Sequence, residues 1–287
     1  MSVRVGFIGL GNQGKPIAAH LAPAGFETTV YDIAEEPVRE LVAGGARAAA
    51  SPREVGERAD VIGICVPADE HVRAVVYGAD GLLAGTKPGA VIAIHSTVLP
   101  RTAIEIAEAA RPLGVAVLDA CVTGGAERAK QKQITYIVGG DAAALEKVRP
   151  VLESNSVKII HAGELGNGAK LKLCINLITY IQWAAAFESF QLAKAIGLPT
   201  QVLEEAGQAN GQLSALMVNY LGGLKLPEAV RKSDPIQAMM RNHMIIAEKD
   251  LAGVLALARE AQLSLPVGGL VSQLMARIYG VEDPNRR

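Results

Sequence analysis

The chain has 287 residues, 50% hydrophobic and 20% charged, which excludes general disorder and leaves enough apolar residues for one large or two ordinary domains. Its 28 basic and 29 acidic side chains give a net charge of −1 with no polybasic run, so neither nucleic acid nor an anionic membrane is expected as a partner. Cys65, Cys121 and Cys174 are far apart and form no CxxC or disulfide framework, which fits a reducing, cytoplasmic setting.

In the first half, strand-like runs at Val3–Ile8, Thr28–Tyr31, Val61–Val66, Ala90–Ile94, Val115–Leu118, Ile134–Val138 and Val157–Ile160 alternate with helical patterns. The helices are predicted near Gln13–Ala24, Val38–Ala43, Glu70–Tyr77, Thr102–Arg111 and Ala142–Leu152. Runs such as Val61-Ile62-Gly63-Ile64-Cys65-Val66 are apolar throughout, as strands covered on both faces are. Ser51-Pro52-Arg53-Glu54 reads as a capped helix start, Pro100 as another, and Glu35-Glu36 as a solvated turn. The opening run Val5-Gly6-Phe7-Ile8 is too short for a signal-peptide core, so no export signal is expected. Alternation of this kind implies a doubly wound, Rossmann-type α/β sheet.

From about Gly166 the character changes. Asn167–Ile196 reads as one long, largely apolar helix, stopped by Gly197-Leu198-Pro199. Leu173–Phe187 is too short and too polar for a membrane span. Helical patterns follow near Gln201–Gln208, Leu213–Tyr220, Ile236–Ala261 and Val267–Ile278, with a loop or short broken helix between Gly222 and Asp234. The expected organisation is a dinucleotide-binding domain (1–165), an interdomain helix (166–196) and an all-α domain (197–287). The long helix is apolar nearly all round, so a second copy is expected to cover part of it, giving a homodimer or homotetramer through the helical domain.

Gly9-Leu10-Gly11-Asn12-Gln13-Gly14 is a GxGxxG motif between a predicted strand and a predicted helix. In that setting Gly9 permits a tight turn, Gly11 lets backbone approach a pyrophosphate, and Gly14 lets helix pack on strand. Asp32 ends the next strand, 18 residues on, where a carboxylate accepts hydrogen bonds from ribose hydroxyls and repels a 2′-phosphate. No arginine follows at once, so NAD is preferred over NADP. Lys172 and Asn176 are four apart on the long helix and share a face, whereas Lys170 lies about 200° round from Lys172. Thr123-Gly124-Gly125 follows a strand and offers a hydroxyl and bare backbone N–H groups, which suit a carboxylate. The five histidines show no metal spacing, and no Gly-x-Ser-x-Gly elbow is present.

Four motifs in order resemble the β-hydroxyacid dehydrogenase family: Gly6–Pro16, Asp119–Gly125, Gly166–Lys172 continuing to Asn176, and Lys249-Asp250-Leu251. The resemblance covers essentially the whole chain. It implies an NAD(P)-dependent enzyme that interconverts a short 3-hydroxy acid with its semialdehyde or keto acid. It further implies Lys172 as catalytic acid/base, and Thr123, Gly124, Gly125 and Asn176 as substrate-binding. Gly9, Gly11, Asn12, Gln13, Gly14, Asp32, Val66, Pro67, Thr97 and Lys249 would then hold the cofactor. The chain departs from the family pattern at Cys121 (usually proline), Thr123 (usually serine) and Ile175 (usually asparagine), the last two of which bear on the substrate's identity. The competing readings are an imine reductase of similar fold, against which the retained lysine argues, and a non-catalytic dinucleotide-binding protein, against which Lys172 and Asn176 argue. A 6-phosphogluconate dehydrogenase-like decarboxylase would need a larger helical domain.

Overall fold

The computed structural model describes residues 3–282. The chain divides into two compact units, Met1–Lys172 and Leu173–Arg287.

The first unit contains, in order, β1 (Arg4–Ile8), α1 (Gly14–Ala18), β2 (Glu27–Tyr31), α2 (Glu35–Ala43), β3 (Arg47–Ala48), α3 (Pro52–Arg58), β4 (Val61–Ile64) and α4 (Asp69–Val76). It continues with α5 (Leu82–Gly85), β5 (Val91–Ile94), α6 (Pro100–Ala110), β6 (Ala116–Thr123), α7 (Gly125–Lys130), β7 (Ile134–Gly139), α8 (Ala142–Glu153) and β8 (Ser156–His161). The eight strands form one sheet in the order β3-β2-β1-β4-β5-β6-β7-β8. Strand side chains alternate between two cores. Val61, Val91, Ala93, Leu118 and Ala120 join one, with Ile17 and Leu21, while Ile62, Ile64, Ile92 and Ile94 join the other, with Val72 and Ile106. Burial on both faces is what the continuous apolar runs anticipate, and it makes the sheet doubly wound.

Several local features differ from the sequence reading. All pairs are parallel except β6–β7, which is antiparallel. Only residues 124–133 join these strands, too few for a crossover connection. β6 also runs on to Thr123, so most of the expected substrate loop is strand. Helix α1 stops at Ala18 rather than Ala24, and His20 and Leu21 donate in tight turns to Ile17 and Ala18. Pro23 accounts for this, since its ring would clash with the carbonyl four residues earlier. Glu35 and Glu36 occupy the first turn of α2, where the helix dipole favours acids.

The capping signal at Ser51 is present as read. Its Oγ accepts from Glu54 N at 3.3 Å, and Glu54 Oε2 accepts from Ala50 N at 2.6 Å. His95 is buried between Phe7 and Tyr136, and burial pushes its pKa down to about 4. The neutral ring shares a hydrogen bond of 2.8 Å between Nδ1 and Ala120 O, a structural role.

Beyond β8 the chain is helical: α9 (Asn167–Ala195), α10 (Thr200–Ala209), α11 (Ala215–Leu224), α12 (Glu228–Arg231), α13 (Asp234–Glu260) and α14 (Pro266–Tyr279). In the second unit, Tyr180, Ala184 and Phe187 of α9 pack with Met244, Ala247 and Leu251 of α13 and Val271, Met275 and Ile278 of α14. Each set recurs every three or four residues, the spacing of one helix face. Among the described residues no helix is long and apolar enough to cross a membrane.

Candidate active site

Sheet order brings the expected cofactor residues to one edge. The chain leaves β1 for β2 and β3, then returns to place β4 on the other side of β1, so the switch point lies between β1 and β4. Gly9, Asp32, Val66 and Pro67, and Thr97 all follow the carboxyl ends of β1, β2, β4 and β5. Gly9 adopts φ +92°, and a side chain there would collide with the Cys65 carbonyl. One at Gly14 would fall on the Gly9 carbonyl, so both glycines are required by close packing. Gly11 differs: a Cβ there would meet nothing within 4 Å, the open cradle a pyrophosphate needs. Asn12 is exposed beside it, and the buried Gln13 Nε2 has no hydrogen-bond partner. An open cradle next to an orphaned donor fits a bound dinucleotide.

Asp32 is tied to this loop. Its Oδ2 accepts from Leu10 N at 2.5 Å and its Oδ1 from Ala34 N at 2.8 Å. Each carboxylate oxygen keeps a further acceptor site. The next side chain, Ile33, is 93% exposed. Val66 N donates to Ser96 Oγ at 2.8 Å, which joins the loops after β4 and β5.

β5 ends at Ile94, opposite Asp119, so Ala120–Thr123 extend past it, by about 14 Å at 3.4 Å per residue. Thr123 is the tip of this projecting strand, paired only with Thr135 of β7. Gly124 and Gly125 turn the chain there at φ +123° and +77°, a conformation that side chains disfavour. Cys121 is buried within the strand, its Sγ donating to Ser96 O at 3.5 Å.

Asp119, in the same strand, is fully buried. Its Oδ1 accepts from Gly166 N at 3.0 Å and its Oδ2 from Ala169 N at 2.6 Å, so it caps the start of α9. Burial raises the carboxyl pKa, and the N–H groups of Ala169 and Gly166 pull it back. A side chain at Gly168 would strike the Asp119 carbonyl, so the first turn of α9 sits directly on β6.

Lys172 lies in the second turn of α9 and is half-buried, whereas Lys170 is exposed and donates to Asn167 Oδ1 at 3.1 Å. Asn176 is one turn further along α9, on the Lys172 face.

In the second unit Asn176 is part of a buried polar cluster. Its Nδ2 donates to Asp250 Oδ2 at 2.7 Å, and Tyr180 OH donates to the same oxygen at 3.0 Å. Lys249 Nζ stands 3.0 Å from Asp250 Oδ1, as an ion pair. Burial raises the Tyr180 pKa far above its usual value, so its hydroxyl stays a donor. A carboxylate only accepts, so the Asn176 amide nitrogen must face Asp250 and its Oδ1 faces away.

Asp119 and Asp250 are the residues that motif reading quotes without a role. The available signal was physical. An acid between Leu118 and Ala120, or one position before Leu251, is flanked by core residues and needs internal partners.

The chain is similar to known dehydrogenases along almost its whole length. A family model described as the NAD binding domain of 6-phosphogluconate dehydrogenase matches residues 4–163. A second, described as the NAD-binding domain of NADP-dependent 3-hydroxyisobutyrate dehydrogenase, matches 166–284. An NAD-dependent L-serine dehydrogenase from Pseudomonas aeruginosa is 37% identical over 94% of this chain and 90% of its own. A 3-hydroxyisobutyrate dehydrogenase from the same organism is 36% identical over 95% and 91%. Among solved structures, Mycobacterium tuberculosis 3-hydroxyisobutyrate dehydrogenase with L-serine superposes with a TM-score of 0.79 at 29% identity, over 98% of this chain and 94% of that one.

Proposed function

The chain belongs to the β-hydroxyacid dehydrogenase family, and from that premise we propose that it interconverts a short 3-hydroxy acid and its semialdehyde, using NAD, with Lys172 as proton carrier. The observation that carries this reading is the Asp119 clamp. One buried carboxylate joins the strand ending in Thr123-Gly124-Gly125 to the helix bearing Lys172 and Asn176.

The Thr123 hydroxyl and the N–H groups of Gly124 and Gly125 hold the substrate carboxylate. In oxidation the neutral Lys172 amine takes the proton of the substrate hydroxyl; in reduction its ammonium returns it. Asn176, whose amide Asp250 orients, is the residue that would donate its second N–H to the substrate oxygen. NAD, when bound, supplies the hydride acceptor. Gly9, Gly11, Asn12, Gln13, Gly14, Asp32, Val66, Pro67 and Thr97 are the residues of the first unit that would hold it. Lys249 is the family's further contact.

L-Serine and 3-hydroxyisobutyrate, named by the relatives, are the first substrates to test. Purified chain is offered these and other short 3-hydroxy acids with NAD or NADP, and reduced nicotinamide is followed by absorbance. Turnover with none of them contradicts the proposal.

The cofactor preference rests on Asp32, whose charge opposes a 2′-phosphate, and on Ile33, which offers that phosphate no cation. Wild type should have the higher kcat/KM with NAD. Asp32→Ser combined with Ile33→Arg should move the NADP:NAD ratio of kcat/KM up by about tenfold or more, equivalent to about 1.4 kcal/mol. A wild-type preference for NADP overturns this assignment.

We also propose that a second copy of the chain covers the helical unit. Ile178, Leu192 and Ile196 are 52%, 61% and 67% exposed and fall within about 40° of one another around α9. Ile245 and Ile246 of α13 and Val267 and Leu270 of α14 are exposed as well. Apolar surface of this extent marks an interface in a water-facing protein. Light scattering at micromolar concentration should give at least a dimer, and Leu192→Glu with Ile196→Glu should give monomer. A monomeric wild type refutes this.

A further inference from the structure

The helical unit contains a pocket of about 280 Å³ that the proposed chemistry does not use. Phe187, Phe190 and Lys194 of α9, Leu224 of α11, Arg231 of α12 and Arg277 of α14 line it. Phe187 follows Asn176 by eleven residues, about 16 Å along α9. Around α9, Phe187 and Lys194 project about 160–180° away from the exposed Ile178.

Its chemistry is one-sided. Three lining residues are cations and none is acidic. Lys194 Nζ lies 5.9 Å from the centre of the Phe190 ring, and Arg277 Cζ lies 5.8 Å from that of Phe187. The rings therefore hold both cations in place by cation–π attraction. Arg231 Nε donates to Leu226 O at 3.1 Å, which leaves the rest of its guanidinium fork for other acceptors. Glu228 is within electrostatic reach of Arg231, but its ion pair is with Lys232 at 2.9 Å, and Glu282 pairs with the same lysine at 3.0 Å. Among the described residues, no carboxylate forms an ion pair with Lys194, Arg231 or Arg277. Three like charges around one cavity repel each other, and an anion placed between them removes that cost.

We propose that this pocket binds a small organic anion bearing two or three carboxylates, with its carbon skeleton against Phe187, Phe190 and Leu224. Two arginine forks suit carboxylates bidentately. The apolar wall and the volume suit a carbon skeleton better than a bare inorganic ion.

The chain carries its own reporter. Trp183, the single tryptophan, is one turn of α9 from Phe187. It stacks on Tyr220 at 5.2 Å and meets Tyr279, two residues after Arg277, edge-on at 5.5 Å.

The test is titration of the full chain with citrate at constant ionic strength, followed by Trp183 fluorescence and by calorimetry. Succinate, inorganic phosphate and acetate are titrated in parallel. Saturable citrate binding is expected, with succinate weaker and phosphate and acetate weaker still. Arg231→Gln and Arg277→Gln should each weaken citrate binding by about tenfold or more, while dehydrogenase turnover and the far-ultraviolet dichroism stay those of wild type. Lys194→Gln provides a third variant should either arginine variant fail to fold. The proposal is overturned by absence of saturable citrate binding, by phosphate binding as tightly as citrate, or by wild-type affinity in the charge variants. Dissociation of the oligomer by these variants, with no citrate binding by wild type, also overturns it, because the cations would then serve a subunit contact.

Discussion

Lys172→Ala should lower kcat by about 10²–10⁴, the usual contribution of a positioned acid or base, and leave NAD affinity close to wild type. The amine is the proposed carrier of the hydroxyl proton, and alanine at this position neither accepts nor donates one. Cofactor affinity is spared because the glycine loop and Asp32 belong to the β1–α1 and β2–α2 connections, not to α9. Lys170→Ala is the internal control. That side chain is exposed and bonded to Asn167 of its own helix, so its removal should be mild. Steady-state kinetics and cofactor titration of both variants check the pattern. Near-normal turnover in Lys172→Ala refutes the mechanism, and equal losses in both variants move the chemistry to another face of α9.

Asp119→Ala should reduce stability by about 2–5 kcal/mol, since two buried N–H groups lose their acceptor at about 1–3 kcal/mol each. Part of that loss is offset, because the carboxylate itself sits in a desolvating site that raises its pKa. Asp119→Asn keeps one acceptor and sets an amide N–H against the other donor, so it should fall between wild type and alanine. The carboxylate also fixes the first turn of α9 on β6. The folded fraction of Asp119→Asn should therefore show a lower kcat with little change in cofactor KM, a split that simple destabilisation does not produce. Denaturant midpoints at constant slope, together with kcat and KM for each ligand, check this. A denaturation midpoint and kcat for Asp119→Ala equal to those of wild type contradict it.

The sheet was largely legible because its central strands are buried on both faces and read as unbroken apolar runs. β3 was not, since Arg47 and Ala48 are both exposed and too few to show a pattern. The full length of β6 was hidden by Asp119 and by its glycine-rich end, which together look like a loop. With the strand read as ending at Leu118, the connection to Ile134 spans 15 residues, long enough for a crossover, so the antiparallel pairing was hidden as well. Proline at position 23, by contrast, carried the signal that shortens α1.

In the site, the glycine loop and Asp32 could be read because local spacing specifies a strand, a turn and the next strand end. The roles of Asp119 and Asp250 could not. Their partners lie 47 and 50 residues away for Asp119 and 70 and 74 for Asp250, and a one-dimensional pattern does not pair them. Asn176 shows the consequence. Helical phase puts it with Lys172, but only the bond to Asp250 fixes which end of its amide faces outward.

The most direct measurement is nicotinamide reduction by the purified chain, with NAD and a panel of short 3-hydroxy acids, run side by side for wild type and Lys172→Ala. Saturable NAD reduction with at least one acid, faster than with NADP and lower by about 10²-fold or more in the variant, is the predicted result. Failure of wild type to reduce NAD with every acid, or equal rates for wild type and Lys172→Ala, would contradict it.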